Sequence, residues 1–183
     1  MRVQSLLQLA TRCSQLAAIN GQHAALGSLG RRWLQLHQEV LELDRMIRDL
    51  VRRTAPALIE RPGIGIHSAA QLLITAGGNP ERLHSDAAFA ALCGVSPVEA
   101  SSGQTHRHRL SRGGDRAANN ALWTIANNRM IHDARTQDFA ERRRSTGDSR
   151  NDTLRVLKRY IARETFALIR AALRTEPALT AAA

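Results

Sequence analysis

The densest run of reactive side chains lies between positions 101 and 116. Ser101-Ser102-Gly103-Gln104-Thr105 leads into His106-Arg107-His108-Arg109-Leu110 and then Ser111-Arg112-Gly113-Gly114-Asp115-Arg116. A serine hydroxyl becomes a nucleophile once a base takes its proton, and His106 and His108 are suitable proton-transfer groups. Arg107, Arg109, Arg112 and Arg116 can clamp a phosphodiester and stabilise charge developing on its oxygens. Serines beside glycine are also ordinary turn residues. No Ser/His/Asp spacing can be read, because such triads assemble in space rather than along the chain. Residue types alone leave the nucleophile open.

A second motif, Arg61-Pro62-Gly63-Ile64-Gly65, precedes an apolar run with Ala69, Ala70, Leu72 and Leu73. Glycines at both ends of such a turn leave backbone N–H groups at a helix start free to meet a phosphate. Ile64 is expected to plug the turn into the core. The segment resembles the hairpin of the helix-hairpin-helix DNA-binding unit, with Gly63 and Gly65 as contact residues; a helix–helix turn that needs glycine only for its backbone has the same sequence. A third feature is the basic stretch Arg150, Arg155, Lys158, Arg159 and Arg163, interleaved with Leu154, Leu157, Ile161 and Phe166. One face should pack and the other stay positive, with Lys158 and Arg159 as phosphate ligands. Arg142, Arg143 and Arg144 are expected in a loop containing Gly147.

The charge balance fits these motifs. Lys and Arg total 26 against 16 Asp and Glu, a formal net charge of +10. Such a surplus favours a polyanion, since each phosphate neutralised releases condensed counterions. Nearly all of it is Arg, which forks onto phosphate oxygens or guanine edges. Cys13 and Cys93 lack any CxxC or Cys/His spacing, so neither a zinc site nor a disulfide framework is indicated and a reducing interior is expected. No apolar stretch is long enough to span a bilayer. The leader MRVQSLLQLATRCSQLAAING has its apolar residues interrupted by Gln, Thr, Arg and Ser, and reads as helix rather than a targeting segment. The chain is expected in the cytoplasm.

These motifs must be held by helices. Hydrophobic residues make up 43% but aromatics only 3%, so the core is built from Leu, Ala, Ile and Val. Leu26, Leu29, Trp33, Leu36, Val40, Leu43, Ile47 and Leu50 recur at alternating spacings of three and four, the heptad seam of a coiled coil or of an antiparallel helical hairpin. Glu42, Asp44 and Asp49 fall on its solvated side. Gly27 and Gly30 weaken the start, so the helix is expected from about Arg31. Helices follow over 66–76, 85–93, 116–132 and 151–173, with Ser85 and Asp86 as caps. The segment from Gly94 to Gly114 reads as a long exposed loop or a short hairpin. The expected architecture is all-α: a leader and coiled-coil arm over 1–56, a compact helical domain with a helix-hairpin-helix element over 57–173, and a frayed tail over 174–183.

Three segments taken in order carry a resemblance. APALIERPGIGIHSAAQLLITAGGNPERLHSDAAFAALCGVSPVEASSG is followed by HRHRLSRGGDRAANNALWTIANNRMIHDARTQDF and then LRVLKRYIARETFALI. Together they resemble the C-terminal half of the insertion-sequence transposases of the one-hundred-ten group, also called bridge-RNA-guided or serine/DEDD transposases. The resemblance implies a nucleophilic serine directly before a glycine, which matches Ser102, with Ser101 as fallback. That serine attacks a DNA phosphodiester to leave a phosphoserine link and a free hydroxyl. It also implies an N-terminal resolvase-like domain whose acidic residues hold Mg2+. No such domain precedes Leu26, so no cofactor or metal is expected in this chain and catalysis by it alone is left open. The expected partners are DNA, a guide RNA, and a second copy or a full-length transposase through the heptad helix. A non-catalytic DNA-binding or oligomerisation module modulating a full-length transposase is the alternative, and a basic RNA-associated protein the third.

Overall fold

The computed structural model describes residues 3–16, 21–78, 83–99, 108–109 and 113–175. The described residues form helices α1 (Val3–Ser14), α2 (Gly21–Thr54), α3 (Pro56–Ile59), α4 (Ile66–Gly77) and α5 (Asp86–Leu92). Strands β1 (Val98–Glu99) and β2 (His108–Arg109) come next, then α6 (Arg116–His132), α7 (Ala134–Ser145) and α8 (Arg150–Thr175). The fold is all-α, and among the described residues the β content is one ladder of two residues per strand. No described helix is long and apolar enough to cross a membrane. The chain divides into two compact units, 1–48 and 49–183.

In the first unit α1 lies antiparallel to the start of α2, and the contact explains a difference from the sequence reading. The helix begins at Gly21, ten residues before the expected start. A β-carbon on Gly30 would stand 2.7 Å from the Ala10 carbonyl oxygen and the Ser14 nitrogen. Glycine costs a helix about 1 kcal/mol relative to alanine; here its bareness lets two backbones meet, and that packing offsets the cost. Beyond α1, Leu26, Leu29, Leu36, Val40 and Leu43 leave between 42% and 67% of their surface exposed. Trp33 stacks on His37 one turn later, with ring centroids 4.9 Å apart.

The second unit packs α6 and α8 together, with α4 and α7 against both and α5 against α8. Leu58, Leu72, Phe89, Leu122, Ile125, Ile161 and Ile169 are buried. Between them Ala69, Ala76, Ala90, Ala118, Ala126 and Ala162 are fully covered, so the helices approach closely without bulky filler. The helix starts are capped as their sequences demand. Ser85 accepts from the Ala88 N–H, Asp115 from those of Ala117 and Ala118, and Asp133 from that of Thr136. Asp133 also closes α6, so α7 follows without a linker. This places Arg142, Arg143 and Arg144 in the last turn of α7, not in the loop expected from sequence. The segment ARTQDFAERRRS carries too few apolar residues for a visible stripe, yet its caps and cationic last turn favour helix.

Candidate nucleic-acid interface

Pro56 starts α3 and Pro62 and Gly63 turn the chain into α4. Gly63 adopts a φ of +73°, a left-handed conformation that glycine takes without strain. Its missing β-carbon would lie 2.9 Å from Cγ of Arg129 and 3.2 Å from the Ile125 carbonyl oxygen. Ile64 is buried, as expected. Arg129 of α6 fixes the turn: its Nε donates to the Pro62 carbonyl at 2.7 Å, and its Nη1 reaches Glu164 of α8 at 2.7 Å. Arg61 stands 3.9 Å from the same carboxylate. Gly65 differs. Its φ is −85°, and a β-carbon there would meet nothing within 4 Å. It occupies the N-cap of α4, and no side chain caps this helix start.

The second assembly is the neck of the segment that carries the serines. Gly94 and Gly114 both have positive φ, +65° and +94°. A β-carbon on Gly114 would fall 2.4 Å from the Gly94 nitrogen, and one on Gly94 would fall 2.5 Å from the Gly113 carbonyl oxygen. The Asp115 N–H donates to the Leu92 carbonyl at 2.7 Å. The two ends of the segment therefore cross backbone to backbone. Further out, Val98 pairs with Arg109 and Glu99 with His108 in antiparallel register, which is the short-hairpin alternative. Ser101, Ser102, His106, Arg107 and Arg112 lie outside the described residues. Arg109 is described in β2 by its backbone, and Arg116 is exposed at the start of α6.

Three helices, α4, α6 and α8, brace that neck. The Asn119 amide of α6 donates to the carbonyls of Cys93 and Gly94 at 3.1 and 2.9 Å, and accepts from Nζ of Lys158 at 2.9 Å. Asp115 accepts from the Thr75 hydroxyl of α4 at 2.6 Å. That hydrogen bond, the larger influence, and those of the α6 backbone hold the Asp115 carboxyl below the usual carboxylate range against the opposing effect of burial. Cys93 is fully covered, and burial with the nearby Asp115 charge pushes its thiol up to about 12. Lys158, the sequence's single lysine, is 7% exposed and belongs to the packed face of α8, not the positive face where periodicity placed it. Burial first, then Arg155, lowers its pKa below the ordinary lysine value. A compact ammonium that reaches one amide oxygen suits this space better than a planar guanidinium.

Arg159 and Arg163 of α8 are tied to the start of α5. Arg159 donates to the Asp86 carbonyl at 3.2 Å, and Arg163 meets the Asp86 carboxylate at 2.7 Å. The Arg163 hydrogen bond is the main reason that the Asp86 carboxyl lies below its ordinary value. Sequence reasoning missed Thr75, Asn119, Arg129 and Glu164, whose roles depend on partners 25 to 67 positions away. Among the described residues no group of three or more His, Cys, Asp or Glu side chains is placed to hold a metal ion.

Known proteins resemble the chain over this same region. Residues 55–142 match the model of the Transposase IS116/IS110/IS902 family, a stretch that takes in the Gly63 hairpin, the Gly94–Gly114 neck and all of α6. A protein of Streptomyces coelicolor named "Insertion element IS110 uncharacterized 43.6 kDa protein" is 29% identical over 149 residues. The aligned part covers 78% of this chain and 36% of that protein, so the chain spans about a third of that relative's length. The stretch similar to that family's model thus coincides with the two structures built around paired glycines.

Proposed function

We propose that this chain is the DNA-binding part of an insertion-sequence transposase, and that Ser102 is the residue that attacks a DNA phosphodiester. The observation that carries the DNA contact is Gly65. Its bareness fills no need inside the chain, whereas a phosphate approaching the N–H groups that open α4 requires the space a side chain would occupy. Arg61 flanks this position. Gly63 and Arg129 serve it by fixing the turn. At the neck, Lys158, Asn119 and Asp115 hold both ends of the serine segment, and Arg107, Arg109, Arg112 and Arg116 supply positive charge along it. In the reaction the Ser102 oxygen bonds to phosphorus as a phosphorus–oxygen bond to deoxyribose breaks. The proton lost by serine ends on the departing oxygen, and the ester energy is kept in the phosphoserine.

Two measurements test this reading. Affinity for duplex DNA should fall steeply with added salt, by about 0.9 log units per log unit of salt for each phosphate neutralised. In a cleavage-competent preparation containing this chain, denaturing gels should show a protein–DNA adduct that Ser102→Ala abolishes and Ser101→Ala retains. An adduct surviving Ser102→Ala moves the chemistry elsewhere. The exposed heptad stripe of α2 favours a second role beside the first: joining a second copy or a longer family member, and so modulating its activity. A strictly monomeric chain at micromolar concentration removes that role. A guide RNA would draw on the same arginines.

A further inference from the structure

We propose that Trp123 is a stacking platform for an unpaired nucleobase of a strand held along α6. The inference rests on the nucleic-acid reading above and adds the state of the nucleic acid. Trp123 is 43% exposed, although its neighbours Leu122 and Ile125 are fully covered. The core therefore does not use the indole, and an aromatic face this open has room for a base. The surface around it is polar and cationic. Arg116 lies two turns before Trp123, Asn120 one turn before and Asn127 one turn after, all on the same side of the helix. Arg150 joins this row from α8, its Nη2 2.5 Å from the Asn127 amide oxygen.

Composition points the same way. The 17 residues of α6 contain four Asn and no Asp or Glu. Asparagine is a poor helix former, because its amide competes with the backbone. Asn119 is accounted for by the neck, and Asn127 by Arg150. Asn120 is exposed beside the indole, where an amide can bond to a base edge. Ile131, one turn beyond Asn127, is 55% exposed, but an apolar partner surface would find little else to bury in Asn120, Asn127 and Arg116. A strand finds a ring to stack on, amides for base edges and guanidinium groups for phosphates, the combination by which single strands are held. Trp123 stands eight residues beyond Asp115, about 12 Å along the axis from the neck.

The chain has two tryptophans, so Trp33→Phe leaves Trp123 as the sole indole reporter. Titrating that variant with oligothymidylate or oligouridylate should quench its emission in a saturable manner, and the two arms tell whether DNA or RNA supplies the base. A duplex of equal length should bind, by anisotropy of a labelled strand, with much less quenching. Trp123→Ala should weaken single-strand binding by roughly five- to a hundredfold, the effect of one lost base–aromatic stack. Trp123→Phe should keep most of the affinity, and duplex binding should change little in either variant. Quenching by duplex equal to that by single strands overturns the platform, as does single-strand binding without quenching. In both cases the DNA-binding reading stands. Absence of binding to any of these oligonucleotides sinks both.

Discussion

Gly63 combines a left-handed φ with a β-carbon position already taken by Arg129, whereas Gly65 has an ordinary φ and open space. Gly63→Ala should therefore destabilise the fold by about 1–3 kcal/mol, the cost of a strained backbone residue together with displaced packing. Gly65→Ser should leave the melting temperature unchanged or raise it, since serine is a good N-cap. The same substitution should weaken duplex binding, because the hydroxyl occupies the phosphate's approach. Thermal denaturation and anisotropy on the two variants check this; a Gly65→Ser chain that binds duplex as tightly as the parent removes the helix start from the interface. Sequence offered the two glycines as equivalents. The difference lies in what α6 brings to one of them, and Arg129 is 66 positions from Gly63.

Among the elements, the helices with strong apolar periodicity or a clear cap were legible. Ser85 announced α5, and the apolar run after Gly65 announced α4. The ones not legible owe their state to tertiary partners. α7 has little periodicity but inherits Asp133 as its cap, and the start of α2 contains glycines that only make sense once α1 lies on them. The serine segment was recognised as a loop or hairpin, yet nothing local revealed that Asn119 and Asp115 would hold its ends. Asp115 links α4 to α6, and its carboxyl is held below the usual range chiefly by Thr75. A carboxyl with a lowered folded-state pKa adds stability above its unfolded value, about 3.9, and loses it as pH falls through the folded value. Asp115→Asn should therefore flatten the acid limb of the stability curve, and should lower stability at neutral pH by about 1 kcal/mol as a weaker partner for Thr75 and the α6 start. Urea titrations between neutral and acid pH read both effects. An unchanged acid limb would take Asp115 out of the linkage.

At the scale of the molecule, five of the 16 acids are paired with arginines. Asp86, Asp152, Glu141, Asp148 and Glu164 each pair with one or more. The exposed pairs among them, such as Arg144–Glu141 and Arg155–Asp152, contribute about 0–1 kcal/mol each and chiefly orient side chains; the formal surplus of +10 is what the proposed DNA contact would draw on. Stability instead comes from the alanine-lined core, and Cys93 reports on it. A fully covered thiol pushed up to about 12 stays protonated and shielded at neutral pH. In a Cys13→Ser variant, labelling by a thiol reagent should proceed at the unfolding rate and accelerate in denaturant together with loss of helicity. Labelling at the rate of a free thiol would mean that the second unit opens locally around α5.

The crossing of Gly94 and Gly114 has a consequence for how this chain can vary. Because the two ends meet backbone to backbone and are bonded to α4, α6 and α8, they form a fixed socket for whatever chain joins them. Closing such a segment costs only about 0.6 kcal/mol more for each doubling of its length. Residues can be inserted, removed or exchanged between the two glycines while the helices keep their register. A rigid helical frame can thus change what its serine segment presents without changing itself.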